Sequence, residues 1–218
     1  RRELGIAIRT LSGVEEARLI YLGVAHNIPD DGRQQLVIDI GGGSTEMIIG
    51  RHYQPLRLES LYLGCVSHSQ RFFGDGRITA ARLREAELAA LVELEPIISD
   101  YRALGWERAI GASGSMVAVA DALRVAGLAS GGISAAGLGQ LRKRVLKLGR
   151  VEKLSQLEVR ADRLPVFMGG LAIVTSFLAG NLSTLLGIGG GVVKVPVLTA
   201  WCGVPMRVAA STSGFMIG

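Results

Sequence analysis

The chain has 218 residues, of which 24 are Lys or Arg and 19 are Asp or Glu, a formal net charge of +5. Hydrophobic residues make up 49% and aromatics 5%, which is enough apolar material for the core of one or two domains. Two cysteines, Cys65 and Cys202, stand in no CxxC or Cys/His spacing, so neither a zinc site nor a disulfide framework is indicated. The charge is unevenly spread. All 19 acidic residues precede Leu164, and beyond it the only charged residues are Lys194 and Arg207. An ordinary soluble composition therefore gives way to an apolar, glycine-rich one.

In chain order, residues 5–11 read as a short strand, with Ile6 and Ile8 alternating. Ser12-Gly13-Val14-Glu15 is a capping box that opens a helix to about residue 24, with Glu15 expected to fold back onto the Ser12 amide. That leaves Glu16 free. It is either a solvated first-turn acid favoured by the helix dipole or a residue with work elsewhere. A polar loop over 27–35 then leads into two apolar runs, 36–40 and 47–49, joined by Gly41-Gly42-Gly43-Ser44-Thr45-Glu46.

This strand–turn–strand is the centre of the chain. Glycine has no Cβ and tolerates φ > 0, so its backbone can come close to a ligand. Successive N–H groups in such a turn can cradle an anion, and Ser44 and Thr45 add hydroxyls. Asp39, at the end of the first strand, is placed to hold a metal ion through water. The alternative is a glycine-linked hairpin with no ligand.

Residues 56–63 read as a further strand, 66–73 as a short helix, and Thr79 as the cap of a long helix over 80–103 that Pro96 is expected to kink. A brief strand over 108–110 leads to a second glycine–hydroxyl turn, Gly111-Ala112-Ser113-Gly114-Ser115, which opens a helix over 116–125. The free N–H groups of that helix start could meet an anion or ribose, although such a turn is commonly just a tight joint. Ser134 caps a helix to residue 148 carrying Arg142, Lys143, Arg144 and Lys147, with Arg150 just beyond. This cluster is either a solvated face or an attractor of polyanions. With no aromatic residues interleaved, nucleic-acid binding is not expected.

Residues 164–193 are thirty residues without a charge, longer than the roughly 20 needed to span a bilayer. Seven glycines in this stretch suit an interrupted membrane segment. The other reading is a buried core helix followed by a glycine loop.

Several ordered motifs together carry a resemblance. They are residues 11–19, residues 39–46, Glu59-Ser60 with Leu63-Gly64-Cys65-Val66, residues 111–115, and Arg160-Ala161-Asp162 before Gly169-Gly170-Leu171-Ala172. Residues 5–174 resemble the exopolyphosphatase/guanosine pentaphosphate phosphatase (Ppx/GppA) family. The resemblance implies an actin-like α/β fold of two domains around a cleft. It also implies a cytoplasmic, homodimeric enzyme that uses Mg²⁺ to remove a terminal phosphate from polyphosphate or guanosine pentaphosphate. By position, Glu16 matches the general base that orients water, Asp39 the acid near metal and phosphate, and Glu46 a second acid. Gly41, Gly42, Gly43 and Ser44 match the phosphate loop, and Gly111, Ser113, Gly114 and Ser115 a second phosphate-facing loop.

The family's first phosphate loop and most of its first domain have no counterpart here, so an incomplete, inactive cleft is expected. Residues 179–198, 203–205 and 208–213 resemble instead the opening of a sulfite exporter-type (TauE/SafE) permease. The chain thus reads as a chimera of a phosphatase region, 1–174, and a membrane region, 175–218, with membrane contact through 171–198. Three functions follow as expectations: a hydrolase, a piece of an anion permease, or an inactive remnant that still binds polyphosphate.

Overall fold

The computed structural model describes residues 10–129, 131–157 and 164–179. Residues 5–9 of the strand expected over 5–11, the Arg160-Ala161-Asp162 motif and the permease-like segments from residue 180 onward lie outside them, and Thr10 and Leu11, which are described, are in no strand.

Four strands form one sheet in the order β3-β2-β1-β4. Strands β1 (Gln35–Ile40), β2 (Thr45–Arg51) and β3 (Gln54–Leu61) make an antiparallel meander, and β4 (Arg108–Gly111) pairs parallel with β1. Side chains alternate between the two faces of a strand, and the apolar residues divide accordingly. Leu36, Ile38, Ile40, Met47 and Ile49 join a large core with the later helices, whereas Val37, Ile48 and Ile110 pack with Ala17, Ile20, Tyr21 and Val24 of α1 (Gly13–Asn27). The sheet is a layer between α1 on one side and α2 (Cys65–Phe73), α3 (Ala80–Leu104), α4 (Gly114–Val125), α5 (Ala135–Leu148) and α6 (Leu164–Ala179) on the other. A 3₁₀ turn, Val151–Leu157, links α5 toward α6.

The caps expected at Ser12, Thr79 and Ser134 are present, and Ser113 adds a fourth. Each accepts a bond from the backbone N–H three residues on, satisfying donors that a helix start leaves open. Glu15 differs from expectation: its carboxylate lies 3.5 Å from Arg18, one turn further along α1. Helix α3 runs as one element through Pro96, which is exposed.

Helix α6 decides between the two readings of the uncharged segment over the residues described. Phe167, Met168, Leu171, Ala172 and Ile173 are fully buried, and the helix touches α2, α3, α4 and α5. It is apolar on every side because it is surrounded by protein. At 16 residues it is shorter than a spanning helix, and among the described residues no helix is long and apolar enough to cross a membrane. Residues 171–176 of the expected membrane contact therefore sit in the core, and 180–198 lie outside the described residues. The boundary expected between 174 and 175 falls inside α6.

One buried charge ties three helices together. Arg142 of α5 makes a two-pronged pair with Glu87 of α3 at 2.6 and 2.9 Å, and Thr175 of α6 donates to the same carboxylate at 2.9 Å. Glu87 is only 4% exposed. Arg142 thus leaves the basic cluster for a structural role, while Lys143, Arg144, Lys147 and Arg150 stay exposed. Removing one partner of such a pair strands a charge in the core. Arg142→Met is expected to cost about 3–5 kcal/mol, read as a lower urea midpoint at unchanged slope.

Candidate active site

The β1–β2 register places Asp39 directly opposite Glu46, and the β2–β3 register places Glu46 opposite Ser60. By alternation these three share the face that α1 covers. Helix α1 lands there by a close approach. A Cβ on Gly13 would lie 2.4 Å from the Ser60 hydroxyl, so only glycine lets the helix start sit on β3. One turn on, Glu16 comes into electrostatic range of both Asp39 and Glu46. Three carboxylates distant in sequence, from the first turn of α1 and from the ends of β1 and β2 that meet at the glycine turn, thus lie within electrostatic range of one another.

Their environment opposes full ionisation. Burial pushes the Asp39 carboxyl up to about 7, with Glu46 and Glu16 adding to the rise. Burial also raises Glu46 and Glu16. On Glu46 the hydroxyls of Ser44 and Ser60 pull the other way, and the Glu16 charge pushes up again. Ser60 donates to Glu46 Oε1 at 2.8 Å. Strongly shifted, clustered acids mark functional sites more often than structural ones.

The glycine turn sits beside them. None of Gly41, Gly42 or Gly43 has a positive φ, so the turn does not depend on left-handed backbone. Glycine is needed for a different reason. A Cβ on Gly64, the residue before α2, would lie 2.2 Å from the Gly42 carbonyl oxygen and 2.3 Å from the Gly43 Cα. The turn rests on the start of α2, whose Cys65 N–H donates to Gly41 at 2.9 Å and Val66 N–H to Gly42 at 3.1 Å. Thr45 is held by a hydroxyl bond to the Leu63 carbonyl. Gly42 and Gly43 face solvent, and the space beside Gly43 is open.

The second turn lies behind the site. Ser113 Oγ accepts from the Ile40 N–H at 3.1 Å, and Ser115 Oγ donates to the Ile40 carbonyl at 2.8 Å. Both serines are buried. They grip the backbone next to Asp39 from the parallel strand's side, and Gly111 packs under Met116. Their hydroxyls bond to β1, which makes this turn a clamp on the strand that carries Asp39. Cys65 is a buried thiol that burial shifts upward.

The sequence reading missed Gly13, Ser60 and Gly64 as site-forming residues. Their signal was present in the Ser12-x-x-Glu15, Glu59-Ser60 and Leu63-Gly64 motifs, but nothing in spacing alone says which backbones touch. Among the described residues no three His, Cys, Asp or Glu side chains group closely enough to hold a metal ion by themselves. The donor set is hard carboxylate oxygen. That suits Mg²⁺, which usually keeps waters and takes one or two carboxylates together with substrate phosphates.

A meander joined to a parallel strand, with a glycine turn and acids at the strand ends, is the frame of this candidate site. The profile of the Ppx/GppA phosphatase family matches residues 1–188, and the chain belongs to that family. It is 40% identical over 173 residues to the guanosine-5'-triphosphate,3'-diphosphate pyrophosphatase of Aeromonas hydrophila, covering 79% of this chain and 34% of that one. A solved Ppx/GppA enzyme of Aquifex aeolicus superposes with a TM-score of 0.68 at 21% identity, covering 97% of this chain and 67% of the other. An exopolyphosphatase of Cytophaga hutchinsonii also gives 0.68 at 21% identity, over 82% of this chain and 60% of that one. The chain spans about a third to a half of the length of the curated relatives it matches.

Two predictions follow from this geometry. Asp39 titrates higher in the folded chain than its ordinary 3.8, so its contribution to stability is present below about pH 4 and is lost as the pH rises through about 7. Without divalent cations, Asp39→Asn should raise the thermal midpoint at pH 8 by about 2–8 °C and change it little at pH 4. Gly64→Ala should push the 41–44 turn off α2. The expected result is a folded chain whose circular dichroism is unchanged and whose hydrogen exchange at Gly41–Ser44 is faster.

Proposed function

We propose that this region is the phosphate-handling lobe of a hydrolase that releases terminal phosphate from inorganic polyphosphate or guanosine pentaphosphate. The observation that carries this reading is the meeting of Glu16, Asp39 and Glu46 on one sheet face, beside an exposed glycine turn. The relatives' names and the family support the same chemistry. In phosphoryl transfer the protein mainly positions the reactants and balances charge.

In this reading Glu16, on a helix turn fixed by the Gly13–Ser60 contact, holds the attacking water and accepts its proton. Its upward shift moves it toward the working range of a general base. The outer amides of Gly42 and Gly43 meet phosphate oxygens, with the Ser44 hydroxyl alongside. Asp39 and Glu46 would hold Mg²⁺, which would neutralise phosphate charge and keep both acids ionised. The serine clamp on Ile40 keeps Asp39 still while this happens.

The test is phosphate release by the full 218-residue chain from long-chain polyphosphate and, separately, from guanosine pentaphosphate, with Mg²⁺. Release that falls at least about 100-fold in Glu16→Gln, and likewise in Asp39→Asn, supports the reading. Release that is unchanged in both variants would overturn the assignment of this site. Absence of release, together with absence of polyphosphate binding, would leave no hydrolase function for this chain.

A further inference from the structure

The hydrolase reading uses Glu16, Asp39, Glu46 and the glycine turn, and it leaves Ser60 unassigned. Three contacts meet at that residue. Its hydroxyl donates to Glu46 Oε1 at 2.8 Å. It stands directly across the sheet from Glu46, in the β2–β3 register. It also fills the space where a Gly13 side chain would be, with its Oγ 2.4 Å and its Cβ 2.6 Å from that position. Glu46 is 1% exposed, so few other partners can reach its carboxylate. Gly13 is the first residue of α1 and Glu16 sits on the same turn.

We infer that Ser60 is a positioning residue: it aims the Glu46 carboxylate and, through its contact with Gly13, sets the distance between Glu46 and Glu16. This rests on the hydrolase reading, and it adds a residue of β3 to a site otherwise built from α1, β1 and β2. The physical argument is one of rotamer control. Glutamate has three side-chain torsions, and the acids around Glu46 repel it. A hydrogen bond to a charged acceptor is stronger and more directional than one between neutral groups. Without it Glu46 would turn away from Asp39 and Glu16. Supporting groups of this kind matter because a loosely held constellation loses most of its effect. Ser44 is the second hydroxyl on Glu46, but it belongs to the exposed turn. Ser60 is in a strand and does not move with the loop.

The test uses the full chain with Ser60→Ala and Ser60→Cys. Cysteine keeps the size of serine but is a weak donor, so it separates hydrogen bonding from filling space. The first readout needs no activity: thermal midpoints without divalent cations, in the natural background and in Glu46→Met, which has no comparable acceptor. Ser60→Ala should lower the midpoint by about 3–6 °C with Glu46 present and by under about 1 °C in Glu46→Met. Ser60→Cys should follow Ser60→Ala. The second readout is turnover. If the chain releases phosphate, both variants should lower kcat by about 10- to 100-fold with KM within about twofold of the parent. An equal midpoint loss in both backgrounds, or Ser60→Cys matching the parent, would overturn the inference. A chain without turnover would defeat the hydrolase reading, while the midpoint cycle would still decide whether Ser60 holds Glu46.

Discussion

Two glycine contacts on either side of one residue hold the site in register. Gly64 lets the backbone of the 41–44 turn lie directly on the start of α2, and Gly169 lets α6 press against the Cys65 carbonyl from behind, where a Cβ would lie 1.8 Å away. A stack of α6, the first residue of α2 and the glycine turn results, with no side chain between layers. Such contacts are backbone against backbone, so they cannot relax by changing a rotamer. What is missing from these residues sets how closely the turn approaches the core.

That rigidity offsets the cost of the site itself. Three carboxylates are drawn together by α1, β1 and β2, and all three are partly or fully buried. Burial first, and then repulsion between like charges in low dielectric, push the Asp39 carboxyl up to about 7. The fold holds such a cluster only because the surrounding structure determines it: the serine clamp on Ile40, the Gly13 contact and the buried Glu87–Arg142–Thr175 link among the helices. Strain of this kind concentrates where a protein handles charge that arrives from outside.

The buried helix α6 shows how a composition signal can point two ways. A long run without charges reads as membrane-spanning when only its hydropathy is considered. Over its described part, Leu164–Ala179, the same run serves as a helix packed among α2, α3, α4 and α5, a place that calls for an element apolar all round. Its small residues Gly169 and Gly170 are where α2 and α4 come closest, Cys65 on one side and Ser115 on the other. Arg142 is the same lesson in charge. It sits in a basic cluster by sequence, yet its guanidinium turns inward to a carboxylate 55 positions away.

The sequence by itself determined the local elements and the family. Hydroxyl caps at Ser12, Thr79 and Ser134 marked helix starts because a capping bond spans three residues. The short apolar runs 36–40 and 47–49 on either side of a glycine turn marked a strand pair, because runs of that length bounded by turn residues suit buried strands. It also singled out Glu16, Asp39 and Glu46, through motif order. Only the tertiary structure decided which atoms meet. Whether Glu16 faces water or Asp39 depends on where α1 lies across the sheet. That is set by the missing Cβ of Gly13 against Ser60, a contact between residues 47 positions apart. Likewise Ser113 and Ser115 face the Ile40 backbone because β4 pairs parallel with β1. A spacing rule along the chain carries no information about such contacts, since they arise from the packing of one backbone against another.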